Sequence, residues 1–183
     1  MTRLIRLGLF LAVLATATVG YTQIMARAGS GTPPPMAPVS EQADAILVIK
    51  SARELHLLRD GEVIATYAIS LGAAPEGHKQ RQGDERTPEG DYVIDWRNAN
   101  SIAHLSLHIS YPDADDIARA RAEGVDPGGD IMIHGLPNGW GFLGRLHLLA
   151  DWTDGCIAVT NADMQQIWAL VPDGTPITIV EAL

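Results

Sequence analysis

The spacing of hydrophobic and polar positions changes several times along the chain, and each change marks an element. Residues 7–19, LGLFLAVLATATV, are apolar or small and carry no charge. GSGTPPPMAP, 29–38, has no period at all and predicts an extended linker. From residue 45 the pattern turns strand-like. AILVIK (45–50), ELHLL (54–58) and VIATYAISL (63–71) are short β-type runs, and Asp60-Gly61 between the last two predicts a tight hairpin. YVIDW (92–96), DIMI (130–133, ending at His134-Gly135) and ITIV (177–180) are further strands. HLSLHI (104–109) alternates, with His104, Ser106 and His108 on one face and Leu105, Leu107 and Ile109 on the other.

Two stretches change to helical spacing. Residues 114–123, ADDIARARAE, are stopped by Gly124. Residues 161–171 place Met164, Ile167, Trp168 and Val171 at i, i+3, i+4, i+7, with Asn161 as the expected cap. AAPEGHKQRQGDERTPEG (73–90) is polar and long for a loop, the kind of segment that is functional or mobile. Many short strands with Gly and Pro turns predict a mainly β domain, sandwich-like or barrel-like, with one or two short helices.

The N-terminus is a separate matter. Arg3 and Arg6 precede the apolar run, which is the layout of an export signal, and Ala26-Arg27-Ala28 offers a small-x-small cleavage site. The alternative is a short membrane anchor, so that any membrane contact runs through an uncleaved N-terminus. The expected organisation is a signal or anchor over 1–28, a linker over 29–42 and one domain over 43–183. At 46% hydrophobic and 19% charged the chain is globular in composition. Its net charge is −9, and removing the leader takes away three arginines. With no basic patch, nucleic acid is excluded as a partner.

Export changes the meaning of the cysteine count. Cys156 is the only cysteine. Outside the cytosol structural cysteines come in pairs, so a lone thiol pairs with another molecule, is reactive, or is a small buried hydrophobe. It follows Gly155 at a tight turn before a strand, where backbone N–H groups would stabilise a thiolate and later an oxyanion. A nucleophilic thiol needs a base, and His134, at the end of a strand and beside Gly135, is the best candidate. His147 either faces the same cleft or is exposed. His104 and His108 have a metal-ligand spacing only on a helix. On a strand their Cα atoms stand roughly 13 Å apart, so no metal site and no cofactor are expected.

IMIHG followed by TDGCIAVTN resembles the signature of the L,D-transpeptidase (YkuD-type) catalytic domain, as do KSARELHLLRDGEVIATYAISLG and RTPEGDYVI nearer the start of the domain. The resemblance covers about residues 43–180. It implies a YkuD-like β fold and a cell-envelope enzyme acting on peptidoglycan stem peptides, located in the periplasm. It also implies Cys156 as nucleophile, His134 as proton donor and acceptor, and the Gly155 N–H in the oxyanion site. Substrate contacts are expected from His108, Tyr111, Gly135, Asn138, Arg145, Thr153 and Asp154, with Lys79 and Arg86 as further groove candidates. Three departures stand out. The His134–Cys156 spacing is longer than usual, Asp154 replaces the common His or Gly, and Ala158 replaces an arginine associated with carboxylate recognition. These features resemble the subgroup that includes the murein-lipoprotein-releasing amidase. They keep open a cysteine hydrolase with an envelope lipoprotein among its partners. A catalytically idle wall-binding module is the remaining alternative.

Overall fold

The short strands assemble edge to edge into one curled sheet. The computed structural model describes residues 2–28 and 31–183; Met1 and the linker positions Gly29 and Ser30 lie outside the described residues. In chain order the elements are α1 (Thr2–Ala28), β1 (Ala45–Ile49), β2 (Glu54–Arg59), β3 (Glu62–Ala68), β4 (Gly90–Asn98), β5 (Ser106–Ile109), α2 (Ala114–Glu123), β6 (Met132–His134), β7 (Ile157–Ala158), α3 (Asn161–Leu170) and β8 (Pro176–Val180). The eight strands form a single mixed sheet in the order β3-β2-β1-β8-β4-β5-β6-β7. β1–β8 and β6–β7 are parallel; the other pairs are antiparallel.

The hairpin forms as its turn residues dictate. Asp60 and Gly61 both have positive φ, 54° and 80°, the requirement of a type I′ turn. After β3 the chain crosses to the opposite edge of the sheet. Ser70 bridges Ala158 of β7, and Gly72 bridges Thr153. The two edges thus approach each other, and the sheet curls into a half-barrel around a core that includes Val48, Leu55, Leu57, Ile94, Leu107, Ile109 and Ile133. α3 packs on this core through Met164, Ile167 and Trp168, the stripe its spacing predicts. α2 buries little apolar surface. Its Asp116 is 3% exposed and accepts hydrogen bonds from Tyr92 Oη at 3.0 Å and Arg119 Nη1 at 3.0 Å. Gly124 ends α2 in the left-handed conformation.

Three local expectations differ from the structure. Thr160, not Asn161, caps α3, accepting the Asp163 N–H at 3.1 Å. Asn161 is the first helical residue, and its side chain is taken up elsewhere. His104 lies outside β5, because its positive φ of 64° breaks the alternation two residues before the strand begins. The 73–90 segment is closely tied down. Fully buried Lys50 donates to the carbonyls of Gly77 and Thr87 and pairs with Glu89 at 2.7 Å. Within the segment, Asp84 pairs with buried Lys79 at 2.8 Å.

The described linker residues also lie against the domain. Ala37 N–H donates to Ala169 O at 2.9 Å, and Ala43 N–H to Leu170 O at 2.8 Å. α1 is long and apolar enough to cross a membrane, with mean hydropathy 1.8 over an 18-residue window within Arg3–Ala28; signal sequences share both properties. Its C-terminal end touches the domain through Tyr21, whose hydroxyl donates to Gly139 O at 2.9 Å.

Candidate active site

β6 and β7 run parallel, with Ile133 beside Ile157 and His134 beside Ala158. One step back along this register, Met132 at the start of β6 meets the turn that carries Cys156. His134 and Cys156 line the same cleft, of about 590 Å³, with Met132, Ser106, Asp130, Trp152, Thr153 and Asp154 among its walls. Ser106 comes from β5, directly opposite His134.

The turn is held from several sides. Asp151 is gripped by Arg53 at 2.7 Å and accepts the Leu71 N–H at 2.9 Å. The Thr153 hydroxyl donates to Cys156 O at 2.7 Å and accepts the Gly155 N–H at 3.2 Å, closing a local side-chain turn. Gly155 has φ 121°, and a Cβ there would stand 2.5 Å from the carbonyl oxygen of Arg86. Only glycine fits this conformation and this approach. The Gly155 N–H, expected at the oxyanion site, is therefore already directed at Thr153.

His134 is held by the backbone. Its Nδ1 lies 2.6 Å from the carbonyl oxygen of Gly135, which sets the tautomer with the proton on Nδ1 and the lone pair on Nε2. No acidic third residue is needed. The loop behind it is pinned by Asn161, whose Oδ1 accepts the Leu136 N–H at 2.8 Å. Trp152 presents its ring edge-on to His134 at 5.9 Å and to His147 at 6.1 Å. Burial holds His134 below the usual histidine range, with a further push from His147, although the Gly135 carbonyl acts the other way. Burial pushes the Cys156 thiol up, and Asp154 and Asp130 add to this; the Met132 N–H and Lys79 oppose it. The expected thiolate is thus not the resting form, because desolvation outweighs the nearby donors. The pair rests as thiol and neutral imidazole, fit for general-base activation.

The family model described as the YkuD L,D-transpeptidase catalytic domain matches residues 43–179. The chain belongs to that family. It is 29% identical over 182 residues to the Escherichia coli (strain K12) protein named "Putative L,D-transpeptidase YafK", covering 91% of this chain and 63% of that one. Among solved structures, the helical cell shape determining protein Pgp2 from Campylobacter jejuni superposes with TM-score 0.59 at 20% identity, covering 88% of this chain and 56% of that one. Bdellovibrio bacteriovorus Bd1075 gives TM-score 0.53 at 22% identity, covering 84% of this chain and 53% of that one. At such identities the two structures speak for the fold. The chain spans less than two thirds of each of these relatives.

Within this L,D-transpeptidase-family domain the sequence-predicted residues divide sharply. Cys156, His134, Thr153 and Asp154 meet at the cleft. Gly135 stands behind it, where a Cβ would be 2.7 Å from Asn161 Oδ1, and serves through its carbonyl. Asn138 is buried and supports a cleft wall: its Nδ2 donates to Ser101 O at 3.0 Å and its Oδ1 accepts the His104 N–H at 2.9 Å. His108 sits outside the lining, bonded to Asp95 at 2.6 Å and stacked on Trp96. Tyr111 is buried, its hydroxyl donating to Pro127 O at 2.9 Å. Arg145 is exposed and also outside the lining, and Lys79 is committed to Asp84. Asp130, Ser106 and the wall of Asn98, Asn100, Ser101, Ile102 and Ala103 were missed as cleft residues. Only Ser106 carried a signal, by sharing the polar face of its strand.

Proposed function

We propose that this chain is a cell-envelope cysteine acyltransferase of the L,D-transpeptidase type, acting on peptidoglycan stem peptides. The observation that carries the reading is the convergence of His134 and Cys156 on one cleft, with Nδ1 of His134 engaged by Gly135 O and Nε2 left to take a proton. In the first step Nε2 takes the thiol proton and Sγ attacks the carbonyl of a diaminopimelate residue. The tetrahedral oxyanion is met by the Cys156 N–H, since the Gly155 N–H is engaged. The imidazolium returns the proton to the departing amine of D-Ala, leaving a thioester. An amine then takes the acyl group to form a cross-link. The apolar N-terminal helix and the cell-shape protein among the structural relatives support an envelope location.

Hydrolysis is the second reading, with water as the acyl acceptor and an envelope lipoprotein among the linked substrates. It is favoured by Ala158 at the position where many family members have arginine, and by a cleft whose described lining includes no Lys or Arg. The test is mass spectrometry of the chain incubated with a disaccharide-tetrapeptide, beside Cys156→Ala. Dimer with loss of D-Ala, absent in the variant, supports transpeptidation. Tripeptide without dimer moves the assignment to a hydrolase. No conversion by either protein, on this substrate and on lipoprotein-linked peptidoglycan, favours a wall-binding module.

A further inference from the structure

We propose that the cleft contains a subsite for a primary ammonium group, formed by the carboxylates of Asp130 and Asp154 and the hydroxyl of Ser106. This deepens the reading above, since it names a chemical feature of the substrate that the same cleft takes.

Ser106 is 1% exposed and lines the cleft, yet its Oγ has no hydrogen-bond partner among the described residues. A buried hydroxyl left in this state carries its full desolvation cost until a ligand group meets it. It stands opposite His134 in the β5–β6 register, on the cleft's floor. Asp130 and Asp154 are exposed and flank the thiol. The Asp130 carbonyl accepts from Cys156 Sγ at 3.6 Å, and Asp154 lies two residues before the cysteine. Neither carboxylate enters an ion pair among the described residues. An ammonium group brings three N–H donors and no acceptor, which matches two carboxylates and a hydroxyl. A carboxylate in the same place would face two like charges with no Lys or Arg in the described lining to offset them.

The placement has a chemical consequence. Burial holds the thiol protonated, and the charges of Asp154 and Asp130 add to this. A bound ammonium offsets their charge, so Cys156 becomes easier to ionise when the amine is seated. Activation of the nucleophile is thereby coupled to substrate.

The chain has one cysteine, so alkylation by iodoacetamide at pH 7.5 reads Cys156 alone. Nα-acetyl-lysine amide is the primary-ammonium probe; its ε-acetyl and ε-trimethyl derivatives are controls. The expected result is a saturable rise in alkylation rate with the primary amine and none with either control. Asp130→Asn and Asp154→Asn abolish the rise, and Ser106→Ala weakens half-saturation roughly three- to tenfold. No rise in the unaltered chain, an equal rise with the trimethyl probe, or an unchanged response in Asp154→Asn overturns the proposal. Calorimetry of the same probe with Cys156→Ala separates the two readings. Binding there with no turnover of any stem peptide by the unaltered chain retains the subsite and rejects the catalytic reading. Turnover without probe binding does the reverse. Acetylating the amine of a stem peptide then tells donor from acceptor: loss of acylation places the ammonium on the donor, and loss of dimer alone places it on the acceptor.

Discussion

The carbonyl oxygen of Gly135 lies 2.6 Å from Nδ1 of His134, its neighbour in the chain. Strand, turn and base are thus one local unit, and the imidazole is oriented before any substrate arrives. Partly buried and held in this tautomer, His134 is kept below the usual histidine range by desolvation and so stays neutral below pH 6.5. The acid limb of kcat/KM is therefore expected below pH 6.5. His134→Gln, which keeps the volume but cannot take the proton, should lower kcat/KM by about 10²–10⁴. A pH–rate profile checks both.

The same burial affects stability. The unfolded chain protonates His134 below its ordinary pKa of about 6.5 while the folded chain does not, so stability falls as pH drops below that value. The Cys156 thiol acts at the other end. Its folded pKa is raised, so the unfolded state loses the proton first and stability falls as pH rises above about 9. Urea midpoints between pH 5 and 10 should show both losses. Cys156→Ala should remove the alkaline one.

Gly155→Ala combines a left-handed backbone with a Cβ 2.5 Å from the Arg86 carbonyl oxygen. The expected cost is about 2–4 kcal/mol in urea unfolding. Because the turn that carries Cys156 must shift, the alkylation rate should change as well. An unchanged midpoint and rate would show that the turn tolerates a side chain.

Asn161 holds the Leu136 N–H behind His134. Asn161→Ala should lose about 1–3 kcal/mol and lower kcat more than it changes KM. Asn161→Asp keeps an acceptor at the first turn of α3 and should restore most of the stability. A loss of equal size in both variants would show that the side chain acts only through packing.

Burial by itself would raise the Asp84 carboxyl, but hydrogen bonds from Gln80 N–H, the Lys79 ammonium, Arg81 N–H and Arg86 N–H prevail and hold it at about 2. Its contribution is present above the ordinary carboxylate pKa of 3.8 and is lost as pH falls through about 2. Asp84→Asn leaves Lys79, 2% exposed, without its charged partner. The expected destabilisation is about 3–5 kcal/mol at pH 7, with the acid step in the urea midpoint diminished.

Much of this was legible in the order of residues. Asp60-Gly61, Gly124 and the stripe from Met164 to Trp168 act over a few positions, and each formed the element it predicts. His134 and Cys156 could be paired because His134 ends a strand beside Gly135 and Cys156 follows Gly155 at a turn into a strand. The groove candidates His108, Tyr111 and Arg145 were not legible. A polar residue near a motif in sequence can face a neighbouring strand, the core or solvent, and these three do so in turn. The cap of α3 was displaced by one residue, because Asn161 is drawn to a backbone N–H 25 residues away.

The sequence by itself determined the local periods, the turns that need positive φ, and the chemical identity of thiol and imidazole. Those depend on neighbours in the chain and on side-chain chemistry. Only the tertiary structure decided that β5, β6 and β7 lie side by side, and so that Ser106, His134, Cys156 and two carboxylates share one cleft. Only it decided, too, that burial keeps both the thiol and the imidazole neutral at rest, since desolvation is set by everything that packs around a group.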